Sequence, residues 1–238
     1  MRTHQRPQVI YSRIGREQPY AEVWHMQKHL QQQIIKRKRA GQENHPSYIL
    51  MCEHPPVYTI GKSGKIDHLK LTGEEIEDSE FSFFKINRGG DITYHGPGQL
   101  TVYPILDLDQ FYNDVHRYVR DLEEVVIRVL SDYDIYGSRV EGYTGVWIVD
   151  EKGRRKICAI GVHMSRWVSI HGLALNVNTN LEHFNNIIPC GIKDIDTSVT
   201  SLSKELNRQI QIEDVAQKMK FQFSEIFDYQ YLDATISA

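Results

Sequence analysis

The sequence predicts an α+β fold in which a mixed β-sheet is flanked by helices. Apolar residues recur at three- and four-residue spacing in three separate segments, and this periodicity predicts amphipathic helices. The segments between these helices are short and rich in β-branched and aromatic residues, as β-strands are. The order helix, strands, helix, strand meander, helix lacks the regular alternation of a doubly wound βαβ fold, so an α+β arrangement is favoured.

The first predicted elements are a helix and a buried strand. The helix ends in a basic cluster at Lys36–Arg39, and its apolar stripe consists of Tyr20, Val23, Met26, Leu30 and Ile34. A short buried strand is expected at Tyr48–Cys52, followed by a segment that two prolines keep extended. We expect Lys62–Asp78 to be irregular, because glycines interrupt it.

The remaining elements are two helices and a set of strands. Strand-like runs at Phe81–Ile86 and Leu100–Leu106 enclose a glycine-rich loop, after which Asn113 or Asp114 is expected to cap the second helix. The apolar stripe of that helix is Val115, Val119, Leu122, Val126 and Val129. A meander with two hairpins is expected from Tyr143–Val149, Lys156–Met164 and Trp167–Asn178, and a last helix near Ile212–Phe227.

Composition limits the class of protein. With 238 residues, 40% apolar and 25% charged, and no linker or repeat, the chain is expected to form one domain over 1–238. No apolar run approaches the roughly 18 residues of a membrane span, and a net charge of −3 argues against nucleic acid as a partner. Three cysteines without paired spacing and the lack of a signal-peptide pattern predict a cytoplasmic location. The cluster Lys36–Arg39 is either a solvated helix end or a docking patch for acidic partners.

The glycine-rich loop Arg88–Gln99 is the first candidate for a binding site. It combines four glycines with a cation and an imidazole between two strand-like runs. Glycine allows positive φ angles and a close approach of the backbone to a ligand. Such a loop on rigid strands is typical of a binding site, although a glycine-rich hairpin turn would have the same composition.

Nucleotide and metal motifs fail when their spacing is examined. Gly61-Lys62-Ser63 resembles the end of a P-loop, but Pro56 stands where that motif needs glycine. The pair Gly96 and Gly98 lacks the third glycine of a dinucleotide fingerprint. Cysteines and histidines occur without zinc-ligand spacing. We therefore expect no bound cofactor and no metal.

Nucleophilic cysteine chemistry is the third candidate. Cys52 and Cys158 lie in apolar strand patterns, where a thiol is usually inert, whereas Cys190 lies between a proline and a glycine. Cys190 is either an ordinary loop cysteine or an oriented nucleophile. A catalytic thiol needs a cationic or basic neighbour to populate the thiolate at neutral pH. Lys156, expected at the start of its strand, is either that neighbour or a surface lysine beside a hairpin.

Five sequence blocks together resemble the lipoyl/octanoyl transferases of lipoate biosynthesis. The signature block runs from Arg88 to Pro104, and the combination covers about residues 50–205. The other blocks are Glu53–Thr59, Lys156–Gly161, His171–Asn178 and Pro189–Gly191. Cys158 inside the lysine block departs from the family pattern and introduces a second thiol near Lys156.

The resemblance implies a fold, a reaction and a set of site residues. The implied fold is that of biotin and lipoate protein ligase catalytic domains, and 1–238 would be a single acyltransferase catalytic domain. Such enzymes transfer an octanoyl or lipoyl group from the thioester of acyl carrier protein to a lysine of a lipoyl domain, without ATP. Acceptors would be the E2 subunits of 2-oxoacid dehydrogenases and the glycine cleavage H protein.

By the same resemblance, Cys190 would carry the acyl group as a thioester, and Lys156 would set the protonation state of Cys190. The loop that would frame the acyl chain and its carbonyl consists of Arg88, Gly89, Gly90, Asp91, Ile92, Thr93, Tyr94 and His95. The facing wall would consist of Ala159, Ile160, Gly161, Gly172, Leu173 and Ala174. His95 would either polarise the carbonyl or orient the acceptor. Two alternatives remain, an ATP-dependent lipoate or biotin ligase of the same fold and a non-catalytic acyl-binding module.

Overall fold

A computed structural model describes residues 6–42, 45–71, 75, 81–188 and 197–232. Within these ranges the chain forms a large mixed sheet, a small three-stranded sheet and helices on both faces of the large one. The strands are β1 Gln8–Gly15, β2 Ser47–Cys52, β3 Val57–Ile60, β4 Ser82–Lys85, β5 Ile92–His95, β6 Gln99–Ile105, β7 Gly137–Val140, β8 Tyr143–Asp150, β9 Gly153–Ser165, β10 Val168–Asn176, β11 Thr197–Val199 and β12 Gln230–Leu232. The α-helices are α1 Tyr20–Arg39, α2 Val115–Ser131, α3 Leu202–Leu206 and α4 Ile212–Phe227.

The large sheet has the order β12-β1-β2-β6-β10-β9-β8-β7, and β11 pairs with β9 beside this path. Strand β1 is parallel to both of its neighbours, whereas the strands from β2 to β7 in this order are paired antiparallel. The mixed sheet and flanking helices confirm the predicted α+β fold class. None of the described helices combines the length and the apolarity required to span a bilayer.

Helices α2 and α4 cover one face of the large sheet. Their apolar residues form the main core together with strand residues such as Leu173 and Leu175. Helix α2 begins at Val115, and the Asp114 side chain accepts a hydrogen bond from Arg117 N at 3.0 Å. This capping contact was expected at Asn113 or Asp114, and it satisfies one of the free N–H groups of the first turn.

Helix α1 and the small sheet share the opposite face. Leu30 and Ile34 of α1 pack on Tyr48 and Ile170 of the large sheet. The small sheet has the order β4-β3-β5, with β3 parallel to β4 and antiparallel to β5. Its own apolar cluster leaves one side of β5 free to line a space against β9 and β10. The fold therefore places a cavity between two sheets.

Two local expectations were wrong, and one strand was not predicted. The stretch Arg88–Gln99 is not a single loop, because Ile92–His95 forms strand β5 through its pairing with β3. Strand β9 begins at Gly153, so Lys156 is its fourth residue and not its first. Strand β1 was not predicted, since its partners β2 and β12 are distant in sequence and its own pattern is only partly buried.

Candidate active site

A cavity of about 330 Å³ lies between β5 with its preceding loop and strands β9 and β10. This volume falls at the lower end of the range for small-molecule sites, about 300–1,000 Å³. Of the substrate-binding residues predicted from the sequence, those that line the cavity are Arg88, Gly89, Gly90, Asp91, Ile92, Thr93, His95, Ala159, Ile160, Gly161, Gly172, Leu173 and Ala174. Lys156 lines it as well. Residues from three distant sequence blocks thus meet at one surface.

Tyr94 does not line the cavity. Side chains alternate along a strand, so Thr93 and His95 face the cavity while Tyr94 faces the other side of β5. There the Tyr94 ring packs within the aromatic cluster of the small sheet, 5.5 Å from the ring of Phe184. Tyr94 therefore supports the lining and does not form part of it.

Lys156 reaches the cavity because of a β-bulge in β9. Val146 pairs with Cys158 and Trp147 pairs with Lys156, so Ile157 is an extra residue on β9. Ile157 and Cys158 both point into the main core, and Lys156 is turned to the opposite face. Without the extra residue, strict alternation would place Lys156 on the same face as Cys158, away from the cavity.

A loop held by backbone hydrogen bonds forms one end of the cavity. Lys62 N donates to Arg88 O at 2.9 Å, and Gly89 N donates to Val162 O at 3.0 Å. The Arg88 guanidinium donates to Thr59 O and Thr59 Oγ1 at 2.6 and 3.1 Å. A Cβ at Gly161 would lie 2.9 Å from Gly89 O, so glycine at 161 allows this loop to pack against β9. The arrangement fixes a buried cation at the cavity wall.

Asp91 is occupied within the same loop. Its carboxylate accepts from Ile92 N at 2.7 Å and is paired with the His68 imidazole, and Asp91 is buried. A carboxylate with these two partners shapes the loop and leaves the cavity wall with Arg88 as its charged group at this end.

His95 has a defined tautomer. Gln99 Nε2 donates to Asn176 Oδ1 at 2.9 Å, so Gln99 Oε1 is left to accept from His95 Nδ1 at 2.8 Å. Burial lowers the pKa of His95 to about 3, with neighbouring His54 adding to the effect, so the ring is neutral at pH 7. Neutral His95 therefore carries its proton on Nδ1 and presents an acceptor at Nε2, 3.4 Å from Thr59 Oγ1.

This tautomer bears on the two roles considered for His95. A neutral imidazole whose N–H is bound to Gln99 has no proton to donate to a carbonyl in the cavity. The same hydrogen-bond chain continues from Asn176 Nδ2 to Thr200 O at 2.9 Å. Thr200 N in turn donates to Lys156 O at 2.9 Å. The chain connects the small sheet with β9, the strand that carries Lys156. Because His95 Nε2 accepts a hydrogen bond and cannot donate one, the geometry favours orientation of the acceptor over polarisation of the carbonyl as the role of His95.

The segment that contains Cys190 lies outside the described residues, but the chain on either side of it is hydrogen-bonded to neighbours of the cavity, His68 being paired with the cavity residue Asp91. Before it, Ile188 N donates to His68 O at 2.7 Å. After it, β11 pairs with residues 154–156 of β9, which places Val199 opposite Lys156. Val199 itself lines the cavity. The chain therefore leaves and re-enters the described structure next to the site.

A cluster of charged side chains holds β11 and α3 against β9, where the described chain resumes after the segment that contains Cys190. Arg155 donates to Asp150 Oδ1 at 2.6 Å and to Glu205 Oε1 at 2.9 Å. Side-chain hydrogen bonds from Arg155 lower the pKa of Asp150 to about 2, which keeps its carboxylate ionised. Because Arg155 is in the strand paired with β11 and Glu205 follows β11 in α3, the cluster holds the two elements together.

Several cavity residues were not predicted from the sequence. Gln99, Tyr103, His171 and Asn176 were inside the motif blocks but had been given no role, and Tyr20 lies outside the blocks. His171 has φ +60° in the middle of β10, an uncommon conformation for a residue other than glycine. Its Nε2 lies 2.7 Å from Asn87 Oδ1, and burial lowers its pKa to about 3. Membership of the motif blocks was the available signal for four of these positions, whereas Tyr20 is brought to the cavity by the packing of α1.

The glycines at 96–98 have a structural role. Gly98 has φ +79°, and a Cβ there would lie 2.6 Å from Asn178 O. Its N–H donates to Glu53 Oε2 at 3.0 Å, and its carbonyl accepts from Asn178 N at 2.8 Å. The end of β10 therefore needs a glycine here, and the close approach expected to a ligand is instead an approach to the protein's own backbone.

The family model described as "Lipoyl protein ligase A/B catalytic domain" matches residues 19–224, and the chain belongs to this family. A relative from Flavobacterium psychrophilum that bears the name octanoyltransferase is 49% identical over 216 residues, which are 88% of this chain and 92% of the relative. Another octanoyltransferase, from Bacteroides thetaiotaomicron, is 46% identical over 88% of this chain and 92% of its own.

Solved structures agree with the fold. A bipartite lipoate protein ligase from Thermoplasma acidophilum superposes with a TM-score of 0.68 at 16% identity, covering 98% of this chain and 88% of that one. Lipoate-protein ligase A bound with ATP superposes with a TM-score of 0.69 at 14% identity, covering 98% and 90% of the two chains. At these identities the likeness concerns the fold alone.

Proposed function

We propose that this protein is an octanoyltransferase that uses Cys190 as its nucleophile and Lys156 as the partner of that thiol. The observation that carries the proposal is the cavity itself, in which Lys156 occupies one end of a wall of small residues. Ala159 and Ala174 are direct cross-strand partners on this wall and leave space for an unbranched acyl chain. The names of the relatives support octanoyl as the transferred group.

The reaction has two half-reactions that conserve atoms and charge. In the first, the Cys190 thiolate attacks the carbonyl of the octanoyl thioester, the carbon–sulfur bond to the carrier breaks, and the carrier thiolate takes up a proton. In the second, a lysine amine attacks the Cys190 thioester, an amide forms, the amine loses a proton and the Cys190 thiolate is released. The acyl group enters already activated as a thioester, so no step requires ATP.

The partners belong to the same proposal. The donor is octanoyl-acyl carrier protein, and the acceptors are lipoyl domains of 2-oxoacid dehydrogenase E2 subunits and the glycine cleavage H protein. The cytoplasmic location predicted from the sequence is the compartment in which we place the reaction. The whole chain, 1–238, would act as one catalytic domain.

An ATP-free transfer assay tests the function. The protein is incubated with octanoyl-carrier protein and an unmodified lipoyl domain, with and without ATP and magnesium, and the lipoyl domain is weighed by mass spectrometry. We expect octanoylation at equal rates in both mixtures and an octanoyl adduct on the Cys190 peptide when the acceptor is left out. Absolute dependence on ATP would make the chain a ligase, and absence of both transfer and adduct would make it an acyl-binding module.

A larger side chain in the cavity wall is expected to shift the preferred acyl chain length toward shorter chains. We expect Ala174→Leu to lower octanoyl transfer about ten- to a hundredfold, because overpacking costs about 1–3 kcal/mol. Each methylene contributes about 0.8 kcal/mol of burial, so butanoyl transfer should fall less and the preference should shift to the shorter chain. Transfer rates from a series of acyl-carrier proteins measure this. Ala40→Leu, the same change at an exposed position after α1, is the control. An equal loss at every chain length would contradict the assignment of this wall.

A further inference from the structure

The ammonium group of Lys156 lies over the indole of Trp147. The distance from Lys156 Nζ to the ring centroid is 4.6 Å, and the two residues are direct partners across β8 and β9. Trp147 is fully buried. Val146 and Ile148 on either side of it point into the main core, so the Trp147 ring lies on the same face of the sheet as the cavity.

The backbone of β8 restrains the stem of the Lys156 side chain, in addition to the contact that Trp147 makes with its charge. Gly145 has φ +115°, and a Cβ at this position would be 3.7 Å from Lys156 Cε and 2.5 Å from Cys158 O. Gly145 N donates to Glu123 Oε1 at 3.0 Å, which fixes this turn of β8 against α2. The Lys156 stem therefore runs between the backbone at Gly145 and the face of Trp147.

An aromatic face acts on the two protonation states of an amine in different ways. The ring quadrupole attracts a cation within about 6 Å of the centroid and gives a neutral amine no comparable energy. The attraction grows when water is excluded, as it is at a fully buried indole. Trp147 thus favours the ammonium form of Lys156.

We propose that Trp147 is a positioning residue that favours the ammonium form of Lys156 and directs it into the cavity, so that Lys156 enters the first half-reaction as a cation and proton donor and not as a neutral base. The inference rests on the proposed function for its catalytic meaning. In the first half-reaction the Lys156 ammonium stabilises the Cys190 thiolate and then gives its proton to the leaving carrier thiolate. In the second, neutral Lys156 takes the proton that the attacking acceptor amine loses. The proton that leaves in one half-reaction returns in the other, and the enzyme ends as it began.

Within the described ranges, titratable groups on the elements around Lys156 include Glu123, Cys158, Tyr143 and Glu205. Glu123 of α2 is paired with Arg120 at 2.6 Å and with Arg139 at 3.1 Å. Cys158 of β9 is buried, and burial raises its pKa far above the usual value. Tyr143 of β8 packs its ring 5.8 Å from Trp147. Beyond β11, Glu205 of α3 is bound by Arg155 and Thr200.

The protonation of Lys156 can be measured directly. Wild type, Trp147→Phe and Trp147→Leu are exposed briefly to trace acetic anhydride at a series of pH values, and acetylation of the Lys156 peptide is quantified by mass spectrometry. Only the neutral amine reacts. We expect the midpoint of the profile to fall by about one pH unit in Trp147→Leu, which raises acetylation at pH 8 about tenfold. Trp147→Phe keeps a ring face and should lie between the two.

A matched control separates this effect from loss of stability. Phe223→Leu removes an equally buried ring from α4 on the other face of the sheet, and we expect it to lower the melting temperature without moving the Lys156 profile. Should Trp147→Leu fold too poorly to measure, the smaller shift in Trp147→Phe decides the question. An unchanged Lys156 profile in the folded Trp147 variants overturns the inference.

The pH profile of transfer gives the second readout. In Trp147→Leu, kcat is expected to decline at the alkaline side at lower pH than in wild type, since Lys156 loses its proton earlier, while KM for the carrier is little changed. If wild type forms no Cys190 adduct, the proposed function fails, yet the acetylation profile still tests the Trp147–Lys156 contact. If the adduct forms and both profiles are insensitive to Trp147, only the inference fails.

Discussion

Cys190→Ala is expected to abolish octanoyl transfer, with a loss of about a thousandfold or more. The reason is chemical, because without the thiol no acyl-enzyme forms and the acceptor amine would have to attack the carrier thioester directly. The measurement is ATP-free transfer to a lipoyl domain together with intact mass of the enzyme after exposure to octanoyl-carrier protein. Cys190→Ser is a less clean test, since a weak oxygen nucleophile remains.

The two other cysteines provide matched controls. Cys52 is buried in β2 beside Thr101 Oγ1 at 3.2 Å, and burial raises the pKa of its thiol to about 12. Cys158 faces the main core, and burial raises its pKa as well. Neither thiol is ionised near neutral pH or directed into the cavity, so we expect Cys52→Ala and Cys158→Ala to retain transfer in proportion to folded protein. Full activity in Cys190→Ala, or its loss in Cys158→Ala with the fold intact, would remove Cys190 as the nucleophile.

Cys158 illustrates how the structure answers a question raised by the sequence. Its place in the lysine block, two residues from Lys156, made it a competing thiol. The bulge at Ile157 turns Cys158 to the core face and Lys156 to the cavity face. Adjacency in sequence therefore does not become adjacency in the site.

Local patterns predicted the elements whose signal is contained in their own residues. The stripe predicted from Val115 to Val129 marks α2 because burial of one helix face repeats every three or four residues, although Val115 itself is exposed in the first turn. The last helix, expected near Ile212–Phe227, has these bounds in the structure. Strand β5 was missed, because its four residues carry too short a pattern and owe their conformation to β3. Pairing between distant segments is not encoded in a window of sequence.

The same distinction applies to the candidate site. Motif blocks identified most of the cavity wall, including Ala159 and Ala174, which the structure pairs across β9 and β10. They did not reveal which face of the sheet carries the Lys156 side chain, because that depends on one extra residue in β9 relative to β8. They also left two roles open for His95, and the hydrogen bond to Gln99 favours orientation of the acceptor over polarisation of the carbonyl. What the sequence lacked in each case was the partner that orients the side chain.

Lys156→Met is expected to lower transfer about a hundred- to a thousandfold at pH 7, because it removes both the cation that we propose stabilises the Cys190 thiolate and the proton for the leaving thiolate. Methionine has a similar length and remains apolar against Trp147, so the fold should persist. With a free thiol pKa of about 8.5, part of the activity should return above pH 8 as the thiolate forms without help. Lys152→Met, at an exposed position in the hairpin before β9, is the control and should leave the rate unchanged.

Lys156→Arg separates the two functions of the lysine. A guanidinium stays charged across the accessible pH range, so it can stabilise a thiolate but cannot give up a proton. We expect Cys190 in this variant to react with iodoacetamide at pH 7 at a rate near that of wild type, whereas octanoyl transfer falls at least about tenfold. In Lys156→Met both rates should fall together. Equal loss of alkylation and transfer in Lys156→Arg would instead indicate that Lys156 acts as a neutral base, and wild-type transfer in Lys156→Met would remove the lysine from the mechanism.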